Sequence, residues 1–200
     1  MKKPVIAIDG FSSTGKSSIS KIIAEKLGII HLDTGALYRG ITWFALQNCL
    51  NDDETINLEH LFSSFPLIEL EFKNDNGELV LFLNHINISK EIRSHEVSQN
   101  VSFIAKQKEV RDFLLQSQRN LAEKGGIIMD GRDIGTVVLP NADFKFFLTA
   151  SIEERTRRRY QELLSLGIET DEKLVKDNLI QRDRIDSERE ISPLKKADDA

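Results

Sequence analysis

Residues 10–17 read Gly10-Phe11-Ser12-Ser13-Thr14-Gly15-Lys16-Ser17 and stand directly behind the apolar run Val5-Ile6-Ala7-Ile8. This is a complete G-x-x-x-x-G-K-[ST] pattern, and it constrains both fold and ligand. The glycines let the backbone curl so that successive N–H groups converge on one phosphate chain. Lys16 then reaches the outer phosphates, and the Ser17 hydroxyl reaches a Mg²⁺ ion. The pattern demands a strand before it and a helix after it. Residues 5–9 read as a short buried strand, and Ile19, Ile22, Ile23 and Leu27 recur at helical spacing until Gly28 stops the run. The N-terminal end of that helix adds its positive dipole to the same anion. An ordinary Gly/Ser turn requires neither flank, so residues 10–18, Ser18 included, are read as the binding loop for a nucleotide's phosphates.

The rest of the chain narrows the class. Two hundred residues with 40% hydrophobic content suit one domain carrying small lobes. No apolar run approaches the roughly 20 residues of a membrane span. The run behind the basic start Met1-Lys2-Lys3-Pro4 stops at Asp9, too soon for a secretory leader. A cytoplasmic location is expected. The single Cys49 excludes an internal disulfide and a cysteine-based metal cluster. A formal net charge of −5 argues against a general nucleic-acid binder. Yet Arg155, Arg157, Arg158 and Arg159 crowd one short stretch, with Arg182, Arg184 and Arg189 further on. Such density in an acidic chain suits a small polyanion, while pairing with Glu153, Glu154 and Glu162 on a solvated helix face would explain the first cluster equally well.

Elements alternate along the chain. After the first strand and helix, residues 29–32 predict a second strand, and Asp33-Thr34 stands at a cap position before a helix carrying Leu37, Ile41, Phe44 and Ala45. Residues 67–72 and 79–83 are strand-like runs split by Asn74-Asp75-Asn76-Gly77, a hairpin signal, and Ile86-Asn87-Ile88 adds a third short strand. This predicts a small antiparallel insert over residues 60–92. One long helix is expected from residue 94 or 96 to Lys124, with Val97, Val101, Ile104, Val110, Phe113, Leu114 and Leu121 as its apolar positions. Ile127-Ile128-Met129 predicts a central parallel strand, and residues 144–150 another. Ser151-Ile152-Glu153-Glu154 opens an arginine-rich helix with a capping box, Gly167 ends it, and a last helix spans residues 171–183. The class is α/β, with a parallel doubly wound sheet whose ligands bind beyond the strands' carboxyl ends.

Each parallel strand ends in a polar cluster. The first ends in the phosphate loop, the second in Asp33-Thr34-Gly35 with Tyr38 and Arg39 just beyond, and the third in Asp130-Gly131-Arg132-Asp133. All three are expected to line one crevice. Asp130 offers the hard carboxylate oxygen that organises water on Mg²⁺ across from Ser17, the metal being held through water. No window fits D-x-x-G or N-K-x-D, which disfavours regulatory GTPases. Arginines in at least four segments exceed what one triphosphate requires, and the surplus fits a second phosphorylated substrate. If that acceptor is a phosphate monoester, its second pKa of about 6 leaves the attacking oxygen ionised at neutral pH, and no general base is needed. No nucleophile–histidine pair is evident: His31, His60, His85 and His95 sit in unrelated contexts.

These blocks together resemble the bacterial-type cytidylate kinases, nucleoside monophosphate kinases of the P-loop kinase family. The resemblance runs from Val5 to about Leu194. It rests on the I-D-G-x-x-x-x-G-K-S loop, on Leu32-Asp33-Thr34-Gly35-Ala36-Leu37-Tyr38-Arg39, on Asp130-Gly131-Arg132-Asp133-Ile134-Gly135-Thr136-Val137-Val138, and on Arg182-Asp183 through Arg189 to Ser192-Pro193-Leu194. It implies a three-layer kinase fold with a core over about 1–33, 94–150 and 168–200, a monophosphate-binding lobe with the β insert over 34–93, and a helical lid over 151–167. It implies reversible transfer of the ATP γ-phosphate to CMP or dCMP with Mg²⁺, by a monomer that binds neither nucleic acid nor membrane.

Roles follow by position. Thr34, Arg39, Arg132 and Arg111 are expected at the monophosphate. Ser102 and Asp133, with Arg111 nearby, are expected to read the cytosine amino edge. Arg182 and Asp186 are expected at the sugar hydroxyls. Lys16, Arg132, Arg158 and Arg189 are expected to act catalytically, Arg158 being the lid arginine that closes over ATP. The family pattern also continues past Ala197-Asp198 into a strand and helix that this sequence does not contain, which would leave a sheet edge uncovered. A kinase for UMP, AMP or another small phosphate ester remains an alternative, as does a non-catalytic nucleotide-binding module.

Overall fold

The structure is a computed structural model that describes residues 3–75 and 78–200. The chain divides into two compact units, one formed by residues 1–32 and 121–200, the other by residues 33–120.

Strand β1 (Val5–Gly10) is the axis of the first unit. With β2 (Ile30–Asp33), β6 (Ile127–Gly131) and β7 (Phe144–Leu148) it forms a four-stranded sheet in the order β2-β6-β1-β7. Both neighbours of β1 run parallel to it, with Asp9 level with Gly131 and Gly10 level with Leu148. β6 is buried along its whole length, as its unbroken apolar run predicts. Helix α1 (Lys16–Leu27) ends at Gly28 as expected, but it buries a different stripe. Ile19, Ile22 and Leu27 are exposed, whereas Lys16, Ser20 and Ala24 are buried. Small side chains at Ser20 and Ala24 are what allow a helix to lie close against β1 and β6. Helices α6 (Ile152–Ser165) and α7 (Glu172–Glu188) pack through Leu163, Val175 and Leu179. α7 runs beyond the expected end at residue 183, and its last turns carry the buried Asp186.

The second unit joins helices to an antiparallel sheet. Helix α2 (Gly35–Asn48) and the short α3 (Leu58–Ser63) precede β3 (Leu70–Asp75), β4 (Glu78–Leu83) and β5 (Ile86–Asn87), in the order β3-β4-β5. The insert is therefore as expected. The Asn76-Gly77 centre of its first turn lies outside the described residues. Asn84 and His85 both have positive φ, the geometry of a two-residue type I′ turn between β4 and β5. The long helix expected over 94–124 is two, α4 (His95–Ala105) and α5 (Lys108–Ala122). The break carries neither glycine nor proline. Instead Arg111 reaches back and donates from Nη1 to the Ala105 carbonyl at 3.1 Å, satisfying the end of α4. This unit takes in more chain than the lobe expected at 34–93, because Val101, Ile104, Val110 and Leu114 share one apolar cluster with Leu37, Ile41, Leu61, Leu81 and Ile88. No helix among the described residues is long and apolar enough to cross a membrane.

Candidate active site

The phosphate loop starts from a packing constraint. Gly10 has φ +147°, and a Cβ there would lie 2.2 Å from the Leu148 carbonyl oxygen. The chain then turns through Ser13, left-handed at φ 60°, and Gly15, which opens α1. Lys16 is buried and curls over the loop, its Nζ donating to the Phe11 carbonyl at 2.6 Å. Thr14 Oγ1 donates to the same carbonyl at 3.0 Å. Two side chains of the loop thus fasten onto one carbonyl at its start.

Opposite the loop, the end of β6 supplies Asp130. Its Oδ2 accepts from Ser17 Oγ at 2.8 Å, and its Oδ1 lies 2.6 Å from His31 Nε2. A hydroxyl and a carboxylate oxygen side by side form a hard donor set of the kind Mg²⁺ takes from a protein while keeping most of its waters. The expected metal residues therefore do come together and fit that ion.

Beyond Gly131 the chain forms a turn of π-helix at Ile134–Val138, held by a residue that sequence reasoning left as a strand end. Asp9 accepts from the Ile134 and Gly135 backbone N–H groups, each at 2.7 Å. Burial pushes its pKa up from 3.8 to about 6; the two N–H bonds and Lys16 oppose that rise, and Asp133 adds to it. Asp9 thus ties the strand that carries the phosphate loop to the Asp130–Thr136 block.

The same unit gathers five more expected residues. Arg132 Nε donates to Asp186 Oδ2 at 2.8 Å. Arg189 Nη2 lies 3.6 Å from Asp133 Oδ1 and its Nη1 3.9 Å from Asp186 Oδ1, while its Nε donates to the Ser192 carbonyl at 2.7 Å. Burial alone would raise the Asp186 pKa, but the charges of Arg132, Arg189 and Arg182 outweigh it and hold the carboxyl below its ordinary value. Three arginines are thus organised around one buried carboxylate.

Helix α6 behaves less uniformly than its sequence suggests. Ser151 Oγ accepts from the Glu154 N–H, but the Glu154 side chain turns to Arg157 and Arg158 rather than completing a capping box. Those bonds hold its pKa down at about 2. Arg159 pairs with Glu162. Arg158 also donates to the Thr14 carbonyl at 3.1 Å, so the expected lid arginine touches the loop. Arg155, which the sequence did not set apart from its neighbours, is buried. Its two terminal nitrogens bind the Asp183 carboxylate at 3.0 and 2.6 Å, Nη1 also reaches the Ser12 carbonyl at 3.3 Å, and the guanidinium lies 5.2 Å from the Phe11 ring centroid. No local signal separates Arg155 from Arg157–Arg159; only its burial does.

In the second unit, Thr34 is buried at the start of α2 but makes no capping bond, its backbone already being helical. Arg39 Nη2 donates to Asp33 Oδ2 at 2.6 Å across Gly35, where a Cβ would crowd both side chains. Ser102 and Arg111 are buried, and the Arg111 guanidinium lies 5.2 Å from the Tyr38 ring centroid.

A family model described as cytidylate kinase matches residues 6–200. The chain belongs to the cytidylate kinase family. It is 45% identical over 199 residues to the cytidylate kinases of Bacillus thuringiensis (strain Al Hakam) and Bacillus anthracis (strain A0248), a span of 100% of this chain and 87% of each relative. Among solved structures, an uncharacterized protein from Eubacterium ventriosum shares the fold at a TM-score of 0.50 and 12% identity, covering 100% of this chain and 84% of that one. Membership in the cytidylate kinase family agrees with a first unit that pairs carboxylates with arginines beside the loop.

Proposed function

We propose that this chain transfers the γ-phosphate of ATP to CMP or dCMP, reversibly. The observation that carries the reading is the juxtaposition in one unit of the phosphate loop, the Ser17–Asp130 pair and the Arg132–Asp186–Arg189 group. Gly10, Phe11, Ser12, Ser13, Thr14, Gly15, Lys16, Ser17 and Ser18 hold the ATP phosphates through backbone N–H groups and the Lys16 ammonium. Ser17 and Asp130 would hold Mg²⁺ through water, and the ion would supply neutralisation of charge on the phosphate oxygens. The first unit offers Arg132 to the acceptor phosphate, Asp133 to the cytosine edge, and Arg182 and Asp186 to the sugar; the second offers Thr34, Arg39 and Arg111 to a phosphate and Ser102 to a base.

The acceptor oxygen is already ionised near neutral pH, so the protein's task is to align two anions and to meet the charge that develops between them. Lys16, Arg158 and Arg189 do the latter. The arginine-bearing α6 excludes water, which would otherwise take the phosphoryl group. In this reading the second unit supplies the monophosphate lobe, α6 is the lid, and the enzyme works as a cytoplasmic monomer. A coupled assay of ADP formation with CMP, dCMP, UMP and AMP at equal concentration tests it. Turnover highest with the two cytidylates is expected. ATP binding without ADP formation on any acceptor would overturn it, and turnover highest with UMP or AMP would replace the acceptor.

A further inference from the structure

Asp130 uses both carboxylate oxygens, and the partner of one of them has no part in the chemistry described so far. His31 lies on β2, the strand beside β6 in the sheet, and brings Nε2 to 2.6 Å from Asp130 Oδ1. Oδ2 is the oxygen that meets Ser17 Oγ. The aspartate side chain is buried at 4% exposure and the histidine is partly buried at 12%, so water competes little for the contact. A carboxylate can only accept, so Nε2 is the donor.

The torsion that turns an aspartate carboxylate about its own axis is broad and nearly two-fold. An aspartate bonded through one oxygen alone can therefore swing its plane or exchange its oxygens. A donor on Oδ1 removes that freedom and leaves Oδ2 aimed at the Ser17 hydroxyl. Partners of metal-organising groups act in this way, and their loss costs about 10- to 100-fold in metal affinity or activity.

We infer that His31 is a positioning residue: by clamping Asp130 Oδ1 it keeps Oδ2 directed at Ser17 and at the water shell of Mg²⁺, and so sets how much Mg²⁺ the protein needs to bind ATP productively. The inference rests on the reading of Ser17 and Asp130 as the Mg²⁺ pair. In this inference the effect of His31 passes through Asp130.

The test uses the full chain and follows ATP binding by calorimetry across a Mg²⁺ titration, with kcat and the CMP KM measured in parallel. His31→Leu, which cannot donate, is expected to raise the Mg²⁺ concentration for half-maximal ATP binding about 10-fold and to lower kcat, leaving the CMP KM and Mg²⁺-free ATP binding unchanged. His31→Gln, whose amide can reach the same oxygen, is expected to recover most of both losses. Parental Mg²⁺ dependence of ATP binding in His31→Leu would overturn the inference. Should His31→Leu lose its cooperative thermal transition, His31→Asn takes its place: too short to reach Oδ1, it is expected to raise the Mg²⁺ requirement, and a parental titration there overturns the inference equally. Asp130→Asn separates the two levels. If it leaves the Mg²⁺ enhancement of ATP binding intact, the magnesium reading itself fails; if it removes the enhancement while the His31 variants behave like the parent, only the role of His31 fails.

Discussion

In the first unit Arg132, Arg155 and Arg189 each face a carboxylate of or near α7, and the groups involved are largely buried. In the second, Arg111 lies against the Tyr38 ring with Nη1 on a main-chain carbonyl, and Arg39 meets an Asp33 that is about a third exposed. Buried ion pairs orient arginines in advance, but each partner then depends on the other for its solvation. Under the proposed function, substrate binding and fold stability are therefore coupled at Arg132 and separable at Arg39. Two buried aspartates of the first unit make the same point: Asp186, among three arginines, is held below the ordinary carboxylate range, whereas Asp9, answered mainly by backbone N–H groups, is pushed up to about 6.

The largest effect is expected at the loop. Under the proposed function Lys16 meets charge that develops during transfer, so Lys16→Ala should lower kcat by about 10²- to 10³-fold. Its CMP KM should move little, and equal losses in both constants would dissolve the division between donor and acceptor groups.

Next in size, Arg132→Ala should raise the CMP KM by about 10- to 150-fold, the worth of a charge-assisted contact, and should also cost about 1–3 kcal/mol of stability by leaving Asp186 short of a partner. Arg39→Ala should weaken CMP comparably yet change urea stability by less than about 0.5 kcal/mol, because Asp33 can turn to water. Matching stability losses in the two variants would break the comparison.

Asp9 supplies a pH test. Its folded pKa lies above its ordinary 3.8, so its contribution to stability is full below about pH 4 and is lost as pH rises through about 6. The stability of the parent relative to Asp9→Asn, from urea unfolding, should therefore fall by about 2–3 kcal/mol between those limits and stay flat above. A pH-independent difference would show that Asp9 ionises as freely folded as unfolded.

The smallest change is expected at Ser102→Ala. Loss of one neutral hydrogen bond of about 1 kcal/mol should reduce the preference for CMP over UMP by about 5-fold, with the melting temperature nearly unchanged. An unaltered acceptor ratio would remove Ser102 from base recognition.

Much of this was legible in local sequence. The phosphate loop, the α/β alternation and the antiparallel insert each leave short-range marks: glycines at fixed offsets, apolar runs of strand length, turn residues between them. What stayed illegible depends on distant partners. The break between α4 and α5 has no glycine or proline to announce it; it is capped by an arginine six residues beyond Ala105. Arg155 looks like its neighbours until Asp183 and the Ser12 carbonyl select it. Ile19, Ile22 and Leu27 keep helical period while facing outward, because closeness to the sheet favoured the smaller Ser20 and Ala24. His31 carries no motif, and only the neighbouring strand gives it Asp130.

Gly10 has an implication for how such chains are read across evolution. Its missing side chain is required by the Leu148 carbonyl 2.2 Å from where a Cβ would stand, a steric demand that holds whether or not a nucleotide ever binds. Any replacement there must first push two paired strands apart. A descendant that had abandoned phosphoryl transfer would still keep this glycine to fold, while Lys16 and Asp130 drifted. Among the residues of the loop motif, the first glycine is therefore a fossil of architecture, and decay of function would register first at the lysine.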